Sequence, residues 1–178
     1  MIIEHPIILL VDDSDKDGLL MRTVFSRAGF VHPLQFAEDG EEAIGYLGGT
    51  GAWADRVKFP LPTVVLLDLN MPRKDGFEVL AWIRQQPGLT GLRVYVLSAS
   101  SRAVDIRRAY ELGAASYLVK PGNLDGLMHL ARTLGAWLHL NHFDPTVAHG
   151  AGQPWGLPPE PVPGIAAALN PLDDFPPT

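Results

Sequence analysis

Short apolar runs along the chain are separated by longer segments whose apolar residues recur at helical intervals. Most of these runs are rich in branched residues and lack polar alternation, which is typical of strands that helices cover on both faces. The first run ends on two aspartates and the third run ends on one. The five predicted strands are residues 7–11, Leu34–Ala37, Val64–Leu67, Arg93–Ser98 and Ser116–Val119.

The segment after the first predicted strand has the pattern of an amphipathic helix. Leu20, Val24 and Ala28 recur there at helical spacing. Ser14 precedes them as a candidate N-cap residue, and Gly29 is placed to end the helix. The sequence therefore predicts a strand followed directly by a helix.

Similar boundary signals predict four further helices. Asp39 and Asp75 each stand three residues before a glutamate, as in a capping box, which predicts the starts of the second and third helices. A fourth helix is predicted over residues 103–112, closed by Gly113, and a fifth begins at Asn123. Because strands alternate with helices, we expect an α/β fold with a doubly wound, mostly parallel sheet and helices on both faces.

Two segments fall outside this alternation. The segment over residues 48–62 is longer than an ordinary connection between a helix and a strand. Its length predicts an insertion or an ordered surface loop. From Asp144 onward the chain is rich in proline, glycine and alanine, and only residues 165–169 favour a short helix there. The predicted organisation is one domain over residues 1–143 and a Pro/Gly-rich, extended tail over residues 144–178.

Composition excludes several classes of function. A length of 178 residues with 47% hydrophobic content fits one globular core, and the formal charge of -6 without a dense Lys/Arg run disfavours nucleic-acid binding. The chain has no cysteine, which excludes disulfides and thiolate sites. The apolar amino terminus is too short for a signal peptide, and no apolar window has the length of a membrane span. We therefore expect a cytoplasmic protein.

Polar residues stand at the carboxyl ends of four predicted strands. Asp12 and Asp13 follow the first strand and Asp68 follows the third. Ser98 ends the fourth strand and Lys120 follows the fifth. A lone residue of this kind often caps a turn or is simply solvated. Their joint occurrence indicates a site, because the ligand crevice of an open parallel sheet lies outside these strand ends, and hydroxyl and ammonium groups suit a phosphoryl group.

The three aspartates predict a divalent metal ion if the first and third strands are neighbours. Like charges so close together cannot all remain ionised without compensation. Mg²⁺ prefers oxygen ligands, and Asp12, Asp13 and Asp68 offer carboxylates while Asn70 offers a backbone carbonyl. The alternative is that Asp12 and Asp13 only cap the first helix.

Four motifs together resemble the CheY-like receiver domain of two-component response regulators. They are VDD at residues 11–13, LLDLNMPRKDG at 66–76, LSAS at 97–100 and YLVKP at 117–121. The likeness covers about residues 7–138, with the motifs in order and at suitable spacing. It implies a flavodoxin-like fold whose five parallel strands have the order 2-1-3-4-5.

The resemblance also implies a function for each residue of the crevice. Asp68 corresponds to the phosphoacceptor, which attacks the phosphohistidine of a sensor histidine kinase and becomes an acyl phosphate. Asp13, Asp68 and the Asn70 carbonyl would hold Mg²⁺, with Asp12 contributing through water. Lys120 would pair with the acceptor and then with the phosphoryl group.

Two further positions resemble the conformational switch of this family. Ser98 is similar to the hydroxyl that closes onto the phosphoryl group, and Tyr117 to the aromatic residue that rotates inward; an ordinary strand aromatic is the alternative for Tyr117. The resemblance also suggests a cis bond between Lys120 and Pro121. Gly122 departs from the family pattern, which often has a bulky apolar residue there.

The chain resembles the single-domain regulators that partner bacterial phytochromes in two features, which are the insertion before the third strand and the lack of an attached effector. The resemblance implies output through phosphorylation-dependent contacts with an unidentified downstream protein. It also implies a homodimer on the face formed by the fourth helix, fifth strand and fifth helix. Trp137, Leu138, Leu140 and Phe143 crowd the end of the last helix, more apolar surface than one stripe buries, although Trp137 packing inside one subunit is the alternative.

Two other functions are open to the same residues. A pseudo-receiver would only bind a partner, but such a module has no use for clustered, repelling carboxylates. An aspartyl phosphatase of the haloacid-dehalogenase type would require an acid two residues after the nucleophile, where Asn70 cannot donate a proton. The sequence therefore favours a phosphoacceptor switch over an enzyme with a separate substrate.

Overall fold

The computed structural model describes residues 6–13 and 15–140. The predicted cap at Ser14 and the tail from Asp144, with its proposed short helix, lie outside the described residues. None of the described helices has both the length and the apolar character required to cross a membrane. The main elements, in chain order, are β1 (Ile8–Val11), α1 (Asp15–Arg27), β2 (Leu34–Ala37), α2 (Gly40–Gly48), β3 (Val64–Leu67), α3 (Gly76–Gln85), β4 (Arg93–Ser98), α4 (Ala103–Glu111), β5 (Ser116–Val119) and α5 (Leu124–Leu140).

The strands form one parallel sheet in the order β2-β1-β3-β4-β5. This arrangement confirms the predicted doubly wound fold and strand order. Val11 at the end of β1 lies opposite Leu67 at the end of β3, so the two strands finish side by side. The strand order reverses between β1 and β3, which is the position where open α/β sheets form their ligand crevice.

Helices on both faces of the sheet explain why the central strands are continuous apolar runs. Every residue of β1 and β3 is buried. Because successive side chains of a strand point to opposite faces, Leu9 and Val11 of β1 join the core beneath α2 and α3. Ile8 and Leu10 join the opposite core, beneath α1 and α5. The burial of both faces fixes the register of the strands that carry the polar residues.

Side-chain caps begin α2 and α3, as predicted. The Asp75 carboxylate accepts from the Glu78 backbone N–H at 2.8 Å, and the Glu78 carboxylate accepts from the Asp75 N–H at 2.9 Å, which completes a capping box. At α2, Asp39 accepts from the Glu42 N–H at 2.8 Å. The Glu42 carboxylate accepts instead from the N–H of Glu38, one residue before the cap.

The predicted insertion after α2 is an ordered loop. The rings of Tyr46, Trp53 and Phe59 contact one another with centroids 4.7 to 6.0 Å apart. The Arg56 guanidinium donates to the carbonyls of Tyr46 and Leu47 at 2.7 and 2.8 Å. These carbonyls belong to the last turn of α2, where cations satisfy groups that have no partner within the helix.

The cis bond suggested between Lys120 and Pro121 was a wrong prediction. All described peptide bonds are trans. The trans form of a bond before proline is favoured by about 0.5–1 kcal/mol.

Candidate functional site

Four strand ends bring the predicted site residues to one edge of the sheet. The Asp12 N–H donates to the last carbonyl of β2 at 3.1 Å, and the Asp68 N–H donates to the Val11 carbonyl at 3.0 Å. The Lys120 N–H donates to the Ser98 carbonyl at 2.8 Å. Each of these residues therefore continues the sheet hydrogen bonding by one position, which fixes the backbone from which its side chain extends.

The carboxylates of Asp12, Asp13 and Asp68 form one cluster. One oxygen of each lies within 4.8 Å of the others. Asp12 and Asp68 are buried, whereas Asp13 is exposed. Partial burial raises the pKa of Asp13, and the neighbouring charge of Asp12 raises it further. Ionisation of Asp13 is therefore less favourable here than for an isolated aspartate, and a cation bound to the cluster would favour it.

The ammonium of Lys120 bridges two of these carboxylates. It donates to Asp12 Oδ2 at 2.6 Å and to Asp68 Oδ2 at 2.7 Å. Burial alone would lower the pKa of Lys120, but the charge of Asp68 and the hydrogen bonds to both carboxylates outweigh burial and raise it. Lys120 therefore carries a positive charge at neutral pH.

The charge and size of the cluster fit one divalent ion. Three carboxylates and one ammonium leave a formal charge of -2 (three negative, one positive), which Mg²⁺ would neutralise. Ligands of octahedral Mg²⁺ lie about 3 Å apart when adjacent and about 4 Å apart when opposite, so the three oxygens, which lie within 4.8 Å of one another, would move closer together around a bound ion. Oxygen donors of this kind are the ligands that Mg²⁺ prefers.

The loop after β3 fixes the orientation of the Asp68 carboxylate. The Asn70 N–H donates to Asp68 Oδ1 at 3.1 Å, which leaves Oδ2 to Lys120. The Asn70 side-chain amide donates to Ser98 Oγ at 3.4 Å. A Cβ at Gly76 would lie 2.2 Å from the Asp68 carbonyl oxygen, so only glycine allows α3 to begin this close to the site. The ligand role of the Asn70 carbonyl stays a prediction.

Ser98 and Tyr117 are connected through the loop that joins β4 to α4. Ser98 is fully buried, and its Oγ accepts from the Ser100 N–H at 3.3 Å. Tyr117 is half-buried, and its hydroxyl donates to the Ser100 carbonyl at 2.8 Å. Burial raises the pKa of Tyr117, which keeps this donor protonated. The two predicted switch residues therefore share one contact residue.

Ser100 also contacts α4, a link that the sequence analysis missed. Its hydroxyl donates to Asp105 Oδ2 at 2.6 Å and accepts from the Arg102 N–H at 3.3 Å. Arg102 makes no side-chain cap, so Ser100 supplies the hydrogen bonding that begins α4. The available sequence signal was a hydroxyl residue shortly before a helix with an acid in its first turn.

The fold and this crevice define the class of protein. A 2-1-3-4-5 parallel sheet with an acidic cluster and a lysine at its carboxyl edge is the receiver architecture of CheY-like proteins. The family model described as "Response regulator receiver domain" matches residues 8–132. The chain therefore belongs to the response regulator receiver family, as its motifs predicted. Members of this family generally act as phosphoacceptor switches rather than as enzymes.

Individual response regulators are similar to this chain over most of their length. Response regulator Rcp1 of Synechocystis sp. is 38% identical over 133 residues, which cover 74% of this chain and 88% of that protein. The solved Mn²⁺-bound form of Rcp1 has a TM-score of 0.70 at 36% identity and covers 78% of this chain and 99% of its own.

Two further solved structures extend this comparison. The phosphorylated cyanobacterial phytochrome response regulator RcpA has a TM-score of 0.69 at 34% identity, covering 76% of this chain and 95% of its own. The structure of response regulator RPA3017, whose description places it in red light signaling of R. palustris, has a TM-score of 0.68 at 42% identity. The match covers 72% of this chain and 90% of RPA3017. The predicted similarity to the phytochrome-partner type of receiver is therefore confirmed.

Proposed function

We propose that this protein is a phosphoacceptor switch in which Asp68 accepts a phosphoryl group from a sensor histidine kinase. The observation that carries the proposal is the Lys120 ammonium, which donates to Asp12 and Asp68 at 2.6 and 2.7 Å beside the Asp13 carboxylate. A nucleophilic carboxylate, a fixed cation and oxygen ligands for a metal are the groups that phosphoryl transfer requires.

In the proposed transfer, a carboxylate oxygen of Asp68 forms a bond to phosphorus. The bond between phosphorus and the imidazole nitrogen of the kinase breaks, and the nitrogen keeps its electron pair. Asp13, Asp68 and the Asn70 carbonyl would hold Mg²⁺, with Asp12 acting through water, and the bound ion would neutralise charge on the transferred oxygens. Lys120 aligns the acceptor carboxylate and then pairs with the phosphoryl group.

The conformational response would pass through the loop that joins β4 to α4. The Ser98 hydroxyl can donate to a phosphoryl oxygen while its Oγ still accepts from the Ser100 N–H. A shift of Ser98 would therefore move Ser100, which holds both the Tyr117 hydroxyl and the start of α4. This chain of contacts supports the proposal that Ser98 and Tyr117 act as the switch.

The proposed phosphoryl donor is a sensor histidine kinase of the bacterial phytochrome type. RcpA and RPA3017, to which the chain is similar, are described with phytochrome and red light signalling respectively. The acyl phosphate would then change the affinity of the protein for a downstream protein partner. Co-purification with a photoreceptor kinase would identify the donor.

Because Asp13 is a proposed metal ligand, we expect Asp13→Ala to lower the affinity of the protein for a divalent cation. Mn²⁺ is a suitable probe, because the spectrum of the free ion in electron paramagnetic resonance decreases on binding. We expect the variant to bind Mn²⁺ more than about tenfold more weakly, since even residues that only support a metal ligand typically contribute that much. Asp125→Ala, which removes an exposed carboxylate from α5, is the matched control. Equal affinity in Asp13→Ala and the wild type would contradict the assignment.

We also propose a homodimer built on the face of α4, β5 and α5. β5 is an edge strand of the sheet. The Trp137 ring packs against Tyr95 at a centroid distance of 5.3 Å, yet the residue is 40% exposed. Leu138 was wrongly grouped with this surface, because it is fully buried, and Phe143 lies outside the described residues. The exposed large apolar residues on these three elements are Val104, Tyr110, Val119, Leu124, Trp137 and Leu140.

Light scattering at tens of micromolar will test the dimer. We expect a dimeric mass for the full chain, with or without beryllofluoride, and a monomeric mass for Val119→Lys, which places a charge on the edge strand. A monomeric mass for the full wild-type chain in both conditions would contradict the dimer. A shortened chain that ends at Asn141 tests the tail. If the shortened chain and the full chain have the same state of association, the tail does not contribute to the dimer.

A further inference from the structure

The loop that carries Asn70 is bound on its far side to the start of α2. Arg73 in this loop forms an ion pair with the Asp39 carboxylate. Asp39 is only 4% exposed, and its other carboxylate oxygen accepts from the Glu42 N–H at 2.8 Å. One buried carboxylate therefore caps α2 and holds the loop after β3 at the same time.

A second contact brings the same two segments together. A Cβ at Gly40, the first residue of α2, would lie 2.6 Å from the Lys74 carbonyl oxygen and 2.7 Å from the Lys74 Cβ. Only glycine fits at this distance, so α2 begins directly against the loop. The ion pair and the close backbone approach are independent contacts that fix the loop from one side.

The backbone of Arg73 indicates that the loop is held in a demanding conformation. Its φ is 65°, in the left-handed region, and no other non-glycine residue described has a positive φ. Residues other than glycine and asparagine are disfavoured there, and such conformations persist where the surroundings impose them. The pair with a buried carboxylate is a contact that only a long cationic side chain makes from this position.

Hydrogen bonds within the loop connect Arg73 to the acidic site. Asn70, which contacts Asp68, lies three residues before Arg73 in the chain. The Asn70 N–H donates to Asp68 Oδ1 at 3.1 Å. The Gly76 N–H donates to the Leu69 carbonyl at 3.0 Å, which closes the loop on itself. A movement of Arg73 would therefore change the orientation of the Asp68 carboxylate and of the Asn70 backbone.

We propose that Arg73 and Asp39 are positioning residues for the metal and phosphoryl site. Their ion pair holds the loop so that Asp68 and the Asn70 carbonyl face the acidic cluster. This inference rests on the proposed function, because it assigns a role to a cation site at Asp12, Asp13 and Asp68.

Arg73→Gly separates this positioning effect from a simple effect of charge, and Asp39→Asn removes the partner of the ion pair. Arg73→Gly removes a positive charge near a cation site, so electrostatics alone would strengthen Mn²⁺ binding, whereas loss of positioning weakens it. Asp39→Asn keeps a cap for α2 but removes the charge that holds Arg73. We expect both variants to bind Mn²⁺ about tenfold more weakly, and the double variant to bind no more weakly than either. Arg73→Lys, which keeps the charge, should recover part of the affinity.

Stability and a matched control distinguish positioning from a loss of folding. Glycine adopts a φ of 65° without strain, so Arg73→Gly loses the ion pair without added backbone strain, and its thermal unfolding midpoint should stay above the temperature of the Mn²⁺ measurement. Lys58→Gly removes an equal charge from an exposed loop and should bind Mn²⁺ as the wild type does. Wild-type affinity in Arg73→Gly, or fully additive losses in the double variant, would overturn the inference. Loss of binding in Asp13→Ala alone would leave the proposed function standing, whereas a wild-type chain without Mn²⁺ affinity would overturn both.

Discussion

Asp68→Asn is expected to abolish transfer of a phosphoryl group from acetyl phosphate to the protein. Asp68 is buried at the end of β3, and one of its carboxylate oxygens accepts from the Asn70 N–H while the other accepts from Lys120. No other carboxylate has this placement among the described residues. A neutral amide oxygen is a poor nucleophile and a weaker Mg²⁺ ligand than a carboxylate, so the substitution removes the acceptor and weakens the metal site while the size of the side chain stays the same.

The measurement is the gain in mass of one phosphoryl group in the intact protein, with Mg²⁺ present. Asp68→Asn should remain folded for two reasons. The asparagine side chain can still accept from the Asn70 N–H, and the substitution removes one negative charge from a cluster of carboxylates that repel one another. Asp125→Asn, the same change at an exposed position on α5, should be labelled as the wild type is. Equal labelling of Asp68→Asn and the wild type would contradict the assignment of the acceptor.

The same experiment separates the switch from a pseudo-receiver. A wild-type protein that binds Mn²⁺ at the acidic cluster but takes no label would be a binding module. A protein labelled only when Asp68 is intact would be a phosphoacceptor. The bridging contact of Lys120 with Asp68 favours the second outcome, because it places a cation where the charge of a transferred phosphoryl group would develop.

The alternation of apolar runs and helical segments was sufficient to predict the type of fold, because buried parallel strands must be apolar on both faces. Residue patterns alone did not determine whether β1 and β3 are neighbours, on which the cluster of Asp12, Asp13 and Asp68 depends. The family resemblance supplied this strand order. The structure confirms it, with Val11 opposite Leu67.

Contacts between distant loops could not be predicted in this way. The pair of Arg73 with Asp39 depends on the path of the loop after β3, and an isolated charge is usually solvated. Leu138 is a different case, because it follows Leu134 by four residues and so continues the buried stripe of α5. Helical periodicity therefore contained the correct answer for Leu138.

Lys120→Ala is expected to destabilise the cation-free protein by about 3 kcal/mol, near the lower end of the range for breaking a buried ion pair. The side chains of Asp12 and Asp68 are 3% and 10% exposed, and Lys120 donates to both. Without its ammonium, two buried carboxylates would face each other with no cation between them. The open side of the crevice at Asp13, which is exposed, keeps the cost below that of a fully enclosed pair.

Mg²⁺ should restore most of the lost stability, because a bound divalent ion would compensate the same carboxylates and would bind only the folded chain. Urea unfolding measures the free energy of unfolding with a chelator and again with millimolar Mg²⁺. Lys120→Met keeps the apolar stem without the charge, so it separates lost packing from lost charge, and Lys58→Ala is the exposed control. An unchanged free energy of unfolding, or a loss that Mg²⁺ does not reduce, would show that Lys120 is not the cation that balances the acidic cluster.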